Sequence, residues 1–244
     1  MQLKTDALII RENNRIGESD RFITALTRDR GVIHASARGA RKVSSRNGSG
    51  TALLTYTTLT LTEGKSKWIV TDAKPQHVFF ELRADMKKLA LAQYFCELAG
   101  VLAPRDEPAD ACLRLLLNAL SFLSGDERDP ALIKAVVEQR LLLEAGYRPD
   151  LDACRACGKQ DGGMFLQTLS GSVLCAEHAR GEGIPLPAGA VAAWRWLLEA
   201  PAEKVFSFRL SPESLVPLEQ ASERFLLACL GRGFNTLDFY NTVR

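Results

Sequence analysis

The 244-residue sequence has no apolar run near the roughly 20 residues that a membrane-spanning helix needs. Its opening, Met1-Gln-Leu-Lys-Thr-Asp6, lacks the basic-then-apolar plan of a secretion signal. Histidine is scarce: His34, His77 and His178 are the full set, and none stands in His-Glu-x-x-His or in the His-x-Glu of the zinc deaminases. No Gly-x-Ser-x-Gly elbow and no dinucleotide fingerprint occurs. Gly64-Lys65-Ser66 looks like the end of a phosphate loop, but the glycine required earlier would fall at Leu59. These absences leave little for acid–base or nucleophilic catalysis and predict a cytoplasmic protein with no membrane association. Of six cysteines, Cys96, Cys112 and Cys229 lie alone in apolar helical patterns and read as buried free thiols. Repeats and low-complexity segments are also missing.

The most specific pattern present is Cys154-Arg-Ala-Cys157-Gly158, followed later by Cys175-Ala-Glu-His178. Two residues between ligands allow a tight turn to aim both side chains at one ion, and Gly158 supplies the positive φ such a turn often needs. Met164–Leu169 and Ser172–Leu174 are read as a short hairpin around Ser170-Gly171 that returns the second pair to the first. The expectation is one structural Zn2+ held by Cys154, Cys157, Cys175 and His178, closed by four protein ligands. The alternatives are a Cys154–Cys157 disulfide or buried thiols brought together by chance. Glu177, between two ligands, is read as a solvated turn residue and not as a general base.

Charge is divided unevenly. Residues 1–75 hold thirteen Lys and Arg against seven Asp and Glu, whereas the remainder holds eighteen against twenty-two. A cationic first segment suits a polyanionic partner. Its hydrophobic pattern reads as five strands: Thr5–Ile10, Arg21–Thr27, Val32–Ala37, Thr51–Thr62 and Lys67–Thr71. In the fourth, Leu54 and Tyr56 are even and Leu59 and Leu61 odd, which implies a bulge or sharp bend. Five short strands suit a small closed barrel such as an OB-fold, though the period equally permits an SH3-like barrel. Between the third and fourth lies a polar loop with little to bury, carrying Arg38, Arg41, Lys42 and Arg46 among small residues. Arg28 and Arg30 stand at the preceding hairpin tip, and Arg11 and Arg15 near the end of the first strand. Such cations can neutralise phosphates; the alternative is a loop that is basic for solubility. Phe22, Tyr56 and Trp68 are the aromatics available for stacking on bases, though each residue type is more often found in a core.

Helical periodicity begins at Phe79 and breaks at Pro104–Pro108; a second helix covers Ala109–Leu123. Asp129-Pro130 reads as cap and first position of a third helix, running to Ala145 and stopped by Gly146. Pro185 and Pro187 separate the metal module from further helices at Ala188–Glu199 and about Leu218–Leu230, with a short turn or helix at Phe234–Tyr240. The expected fold class is α+β: an N-terminal five-stranded barrel, OB-fold or SH3-like, then an α-helical domain with an inserted zinc module. The expected domains are a nucleic-acid-binding barrel at 1–77, a helical domain at 78–150, a zinc module at 151–182, and helices packing on the helical domain at 183–244.

In this order the chain resembles the bacterial RecO family of recombination mediators. The carriers are Thr5-Asp-Ala-Leu-Ile-Ile10, the Gly17-Glu-Ser-Asp20 turn, Ala37-Arg-Gly-Ala-Arg-Lys42, and Leu143-Glu-Ala-Gly-Tyr-Arg-Pro149 leading to Cys154-x-x-Cys157-Gly158. The resemblance implies an N-terminal five-stranded OB-fold β-barrel, a central helical domain with a zinc module, and a protein without catalytic residues that binds single- and double-stranded DNA. It implies annealing of strands coated by single-stranded-DNA-binding protein, capture of that protein's C-terminal tail, and loading of RecA together with RecR. It also implies that zinc supports the fold, with His178 where some members have cysteine. On this reading Arg11, Arg15, Arg38, Arg41, Lys42 and Arg46 are the candidate DNA contacts. The competing readings are a zinc-stabilised scaffold that binds RNA or a protein partner, and an enzyme whose site carries none of the motifs above.

Overall fold

A computed structural model describes residues 2–13, 19–65 and 67–244, in two compact units: 1–125 with 234–244, and 126–233. In the first unit, β1 (Gln2–Asn13), β2 (Arg21–Thr27), β3 (Gly31–Ala37), β4 (Thr55–Glu63) and β5 (Trp68–Val78) close a barrel in the order β1-β2-β3-β5-β4. The pairings are antiparallel except β3 with β5, which is parallel. That order and the single parallel pair identify the OB-fold and settle against the SH3-like alternative. Its interior is lined largely by small or branched residues, among them Ala7, Ile9, Ile23, Ala25, Ile33, Ala35, Leu59, Leu61 and Val70.

The fourth strand departs from the expected bend. Odd positions Thr55 to Leu61 face inward throughout, so parity never switches within β4. Leu54 lies just before it, at φ +59°, with its side chain buried. The register does shift, but the extra residues are on β5, at Thr71 and Gln76. Both bulged residues are used: Gln76 Nε2 donates to Asp6 Oδ1 at 2.8 Å, and Thr71 Oγ1 donates to the Thr60 carbonyl. A further bulge at Ile10 of β1 changes the facing of the residues beyond it: Ile9 pairs with inward Ala25, yet Arg11 pairs with outward Thr24.

Asp85 caps α1 (Met86–Leu102), its carboxylate accepting from the Lys87 and Lys88 N–H groups; Phe79–Ala84, expected to be helical, follows β5 as a short link with one 3-10 turn at Glu81–Ala84. Helix α2 (Asp110–Ser124) follows. Both pack on β1 and β2, covering an outward row of the barrel, Leu8, Leu26 and Val32. The β2–β3 tip is bonded to the α1–α2 connection. Val32 N donates to Pro104 O (2.9 Å), Asp106 N to Arg30 O (3.1 Å) and Ala109 N to Arg28 O (2.8 Å). Arg28 itself bridges Asp6 and Asp110, so its charge is matched within the protein.

In the second unit, α3 (Pro130–Glu144) starts as expected, with Asp129 accepting from Ala131 N at 2.8 Å and Pro130 at its first position. It packs with α5 (Ala188–Glu199) and α6 (Pro212–Leu230). The short strands β6 (Asp150–Cys154), β7 (Met164–Gln167), β8 (Ser172–Cys175) and β9 (Ile184–Leu186) make a sheet in the order β6-β8-β7-β9, and a single turn, α4 (Ala176–Ala179), follows β8. Pro185 sits on the edge strand β9, where a missing N–H costs no ladder bond. Returning to the first unit, α7 (Asn235–Val243) packs on α1. No described helix is long and apolar enough to cross a membrane.

Candidate metal centre and nucleic-acid interface

The expected hairpin is present: β7 and β8 are antiparallel, with Met164 opposite Cys175 and the turn at Gly171, φ +64°. On the other side β8 runs parallel to β6, placing Val173 beside Cys154. Gly158, at φ +74°, closes the first ligand turn with its N–H on the Cys154 carbonyl at 2.8 Å. The α4 turn returns His178 to Cys175, Nδ1 to Sγ 3.2 Å. The ligand atoms of Cys154, Cys157, Cys175 and His178 all lie within 4.8 Å of one another. Cys157 and Cys175 are 3.8 Å apart at sulfur, and all six cysteines are free, so no disulfide holds the cluster together. A tetrahedron with metal–sulfur bonds of about 2.3 Å has edges of about 3.8 Å. The cluster can therefore coordinate a metal ion.

The local backbone favours thiolates. The Cys175 N–H, then those of Ala156 and Cys157, hold the Cys154 thiol below its ordinary value. The His178 N–H does the same for Cys175. At Cys157 the Lys159 N–H pulls down, but burial and the adjacent Cys154 and Cys175 sulfurs together push it up. Three thiols this close resist joint ionisation unless a cation sits among them. Glu177 points into solvent, as its reading as a turn residue required. Arg195 of α5, which the sequence did not single out, braces the ligand loops by donating to the carbonyls of Leu151 (2.8 Å), Asp152 (2.8 Å) and Gln160 (3.2 Å).

The basic loop is built differently from its sequence appearance. Expected to bury little, it sends Ala40 into the barrel core at 2% exposure. Asp20 Oδ1 accepts from Gly39 N at 2.8 Å, and Ser19 O from Arg41 N at 3.0 Å. Arg21 reaches across to donate to the Gly48 carbonyl (2.7 Å) and Thr51 Oγ1 (3.1 Å), while Asn47 Oδ1 accepts from Ala73 N. Lys42 N on Gly39 O, Ser45 N on Lys42 O and Gly48 N on Ser45 O form a run of turns between these anchors. The run leaves Arg38, Arg41, Lys42 and Arg46 exposed, with Val43 fully exposed among them. Arg11 is exposed on the adjacent barrel face; Arg15 lies outside the described residues. Of the aromatics, Trp68 packs against the barrel core, Tyr56 is half-buried beside Asp6, and Phe22 faces outward.

Residues 1–79 match the family described as Recombination protein O N terminal, and residues 83–238 match Recombination protein O C terminal. The chain belongs to the RecO family. Among its curated relatives is the DNA repair protein RecO of Acetivibrio thermocellus, 32% identical over 245 residues that cover 99% of this chain and 97% of the relative. The DNA repair protein RecO of Symbiobacterium thermophilum is 32% identical over 98% of this chain and 96% of its own. That of Alkaliphilus metalliredigens is 26% identical over the full length of both. Membership gives the chain a general role in DNA repair and recombination and agrees with the sequence reading of a non-enzyme. Within the RecO fold seen here, the metal cluster and the cationic loop are separate features, on different compact units.

Proposed function

We propose that this protein binds single- and double-stranded DNA through its barrel and anneals complementary strands coated by single-stranded-DNA-binding protein. In this reading it acts in the cytoplasm, engages the coating protein's tail, and works with RecR to load RecA. The observation that supports it is the pinned run of turns at 38–48, from which Arg38, Arg41, Lys42 and Arg46 project into solvent, with Arg11 on the neighbouring face. Annealing makes and breaks no covalent bond. It needs two polyanions held near each other with their charge screened, by contacts weak enough to allow a search for register. Exposed cations on a fixed scaffold meet that need: the scaffold sets where the phosphates lie, and long solvated side chains let them slide. The sequence division stands as part of this proposal, with DNA binding assigned to 1–77 and the remaining segments serving the fold and its partners.

The cluster at Cys154, Cys157, Cys175 and His178 is assigned to one structural Zn2+. Three sulfurs and one imidazole suit zinc over the oxygen-seeking magnesium and calcium, and four protein ligands leave no position for substrate. When bound, the ion supplies charge neutralisation for the thiolates and a cross-link among β6, β8 and α4.

The test is anisotropy of labelled single-stranded DNA across a salt series. A quadruple alanine variant at 38, 41, 42 and 46 should keep its circular dichroism and lose about three units of log–log salt slope, at ~0.7 per phosphate contact on single strands. An unchanged slope would overturn the loop assignment. Equal affinity for RNA would favour the scaffold reading over the mediator.

A further inference from the structure

The geometry points to a base-stacking subsite on the outer face of β1–β2–β3, where one nucleobase of a single strand takes the place of the Lys67 ammonium over the Phe22 ring. The displaced ammonium then moves to a flanking phosphate. The inference rests on the nucleic-acid reading above and gives it a named platform.

Phe22 belongs to the outward set of β2. Ile23 and Ala25 enter the barrel core, while Phe22 and Thr24 alternate to the other side. Strand pairing extends this face into two rows, Arg11–Thr24–His34 and Asn13–Phe22–Ser36–Ile69. At the opposite end of the same strands, the outward residues Leu8, Leu26 and Val32 are buried where α1 and α2 pack on the barrel. The two rows lie beyond that cover: Arg11 and His34 are exposed, and Phe22 and Thr24 half-buried. The Ile10 bulge brings Arg11 onto this face, since without it Arg11 would share the inward facing of Ile9. His34 is held by Thr24, Oγ1 to Nδ1 3.2 Å.

What lies over the Phe22 ring is a cation, with Lys67 Nζ 3.8 Å from the ring centroid. A lysine in that place is an exposed, long-chained and exchangeable partner, unlike a side chain packed in a core. A nucleobase offers the ring a larger, flatter contact, and the freed ammonium gains a phosphate in the exchange. Along its row Phe22 is flanked by Asn13, which is exposed, and by the small Ser36, which is buried, so the ring opens towards the Asn13 side. The site also continues into the proposed phosphate path, because Ser36 pairs with Phe22 and Arg38 opens the basic loop two residues later. A strand laid across the face would meet Arg11 and His34, then the Phe22 ring, then the loop cations. A stack of this kind reads no sequence, as suits a protein that must accept any strand.

Two strands of equal length separate stacking from charge: an oligothymidylate and an abasic deoxyribose-phosphate chain. Binding of each is followed by anisotropy on the full-length protein and on Phe22→Leu, Phe22→Trp and Lys67→Gln variants. Phe22→Leu keeps apolar bulk on the strand, so the barrel stays folded, as circular dichroism will show. It should weaken oligothymidylate binding about 5- to 150-fold and leave the abasic chain untouched, while Phe22→Trp restores the wild-type preference. Lys67→Gln should weaken both chains and lower the salt slope by ~0.7. Equal effects of Phe22→Leu on both chains, or none on either, would overturn the subsite. A wild type that binds both chains equally well would overturn the subsite and leave the basic-loop reading intact. A wild type that binds neither would overturn both.

Discussion

Lys134 Nζ lies 2.9 Å from Glu138 Oε1 inside the second unit, and neither side chain has any exposed surface. Glu223 of α6 completes the cluster at 2.7 Å, with Glu219 at 3.8 Å. Glu138 Oε2 in turn accepts from Ser222 Oγ, Ser222 Oγ accepts from Gln139 Nε2, and Gln139 Oε1 accepts from Trp194 Nε1 at 2.9 Å. A polar thread thus fixes α3 against α5 and α6 in one register.

Removing the cation should therefore cost more than removing the whole pair. Lys134→Met leaves a buried carboxylate among other acids and should destabilise by about 3–5 kcal/mol in urea unfolding. The double variant Lys134→Met with Glu138→Leu should recover most of that loss. Equal losses in single and double variants would refute this account.

The same cluster has a pH signature. Burial alone pulls the Lys134 ammonium down, but Glu138 and then Glu223 raise it further, to a net value above an ordinary lysine. A group whose folded pKa is raised contributes fully below its unfolded value, about 10.4, and loses that contribution as pH rises through the folded value. The stability gap between wild type and Lys134→Met should stay level from neutral pH to ~10 and narrow above it. Urea melts across that range give the curve.

Metal analysis should find one zinc per chain, lost in Cys175→Ser. A strong chelator should expose residues 155–175 to protease and lower the midpoint of the second unit by more than about 5 °C, since a closed structural site carries folding energy. Cleavage unaffected by chelation would mean that the four ligands hold each other without the ion.

Arg21→Ala should loosen the basic loop without touching a loop cation. It strips donors from the Gly48 carbonyl and Thr51 Oγ1, and the partner from Glu12, 3.2 Å away. Losing such part-buried bonds costs about 1–3 kcal/mol. Hydrogen exchange at residues 39–51 should accelerate before any global unfolding.

Gly31→Ala is expected to be severe. An added Cβ would meet the Pro104 carbonyl oxygen at 2.0 Å, and φ is already +58°. The β2–β3 tip would leave the α1–α2 connection, with a loss of more than about 2 kcal/mol measurable by denaturant unfolding.

Much of this was legible in local pattern. The β2 and β3 alternation, the Asp129-Pro130 start and the Cys-x-x-Cys and Cys-x-x-His spacings each depend on residues within a few positions of one another. What was hidden depends on distant partners. Ala40 reads as loop because only the closed barrel supplies its pocket. Arg21 reads as a basic strand residue until residues 48 and 51 are brought to it. Leu54 and Tyr56 looked like a parity switch because a buried leucine in left-handed conformation just before a strand mimics an inward strand position. Pro217 masked the true start of α6 five residues earlier, at Pro212, where a first-turn proline is tolerated. The cationic character of residues 38–46 was likewise written in composition, but their anchoring was not.

The return of α7 bears on synthesis. Phe234 sets its ring 6.0 Å from that of Tyr94, and Glu97 accepts from Thr236, so the exposed side of α1 is sealed by residues translated after the whole of 126–233. On the ribosome the barrel can close early, while α1 keeps an aromatic surface bare for as long as the intervening segment takes to emerge. A nascent chain paused in that interval is the form most exposed to chaperones and to mispairing with its neighbours.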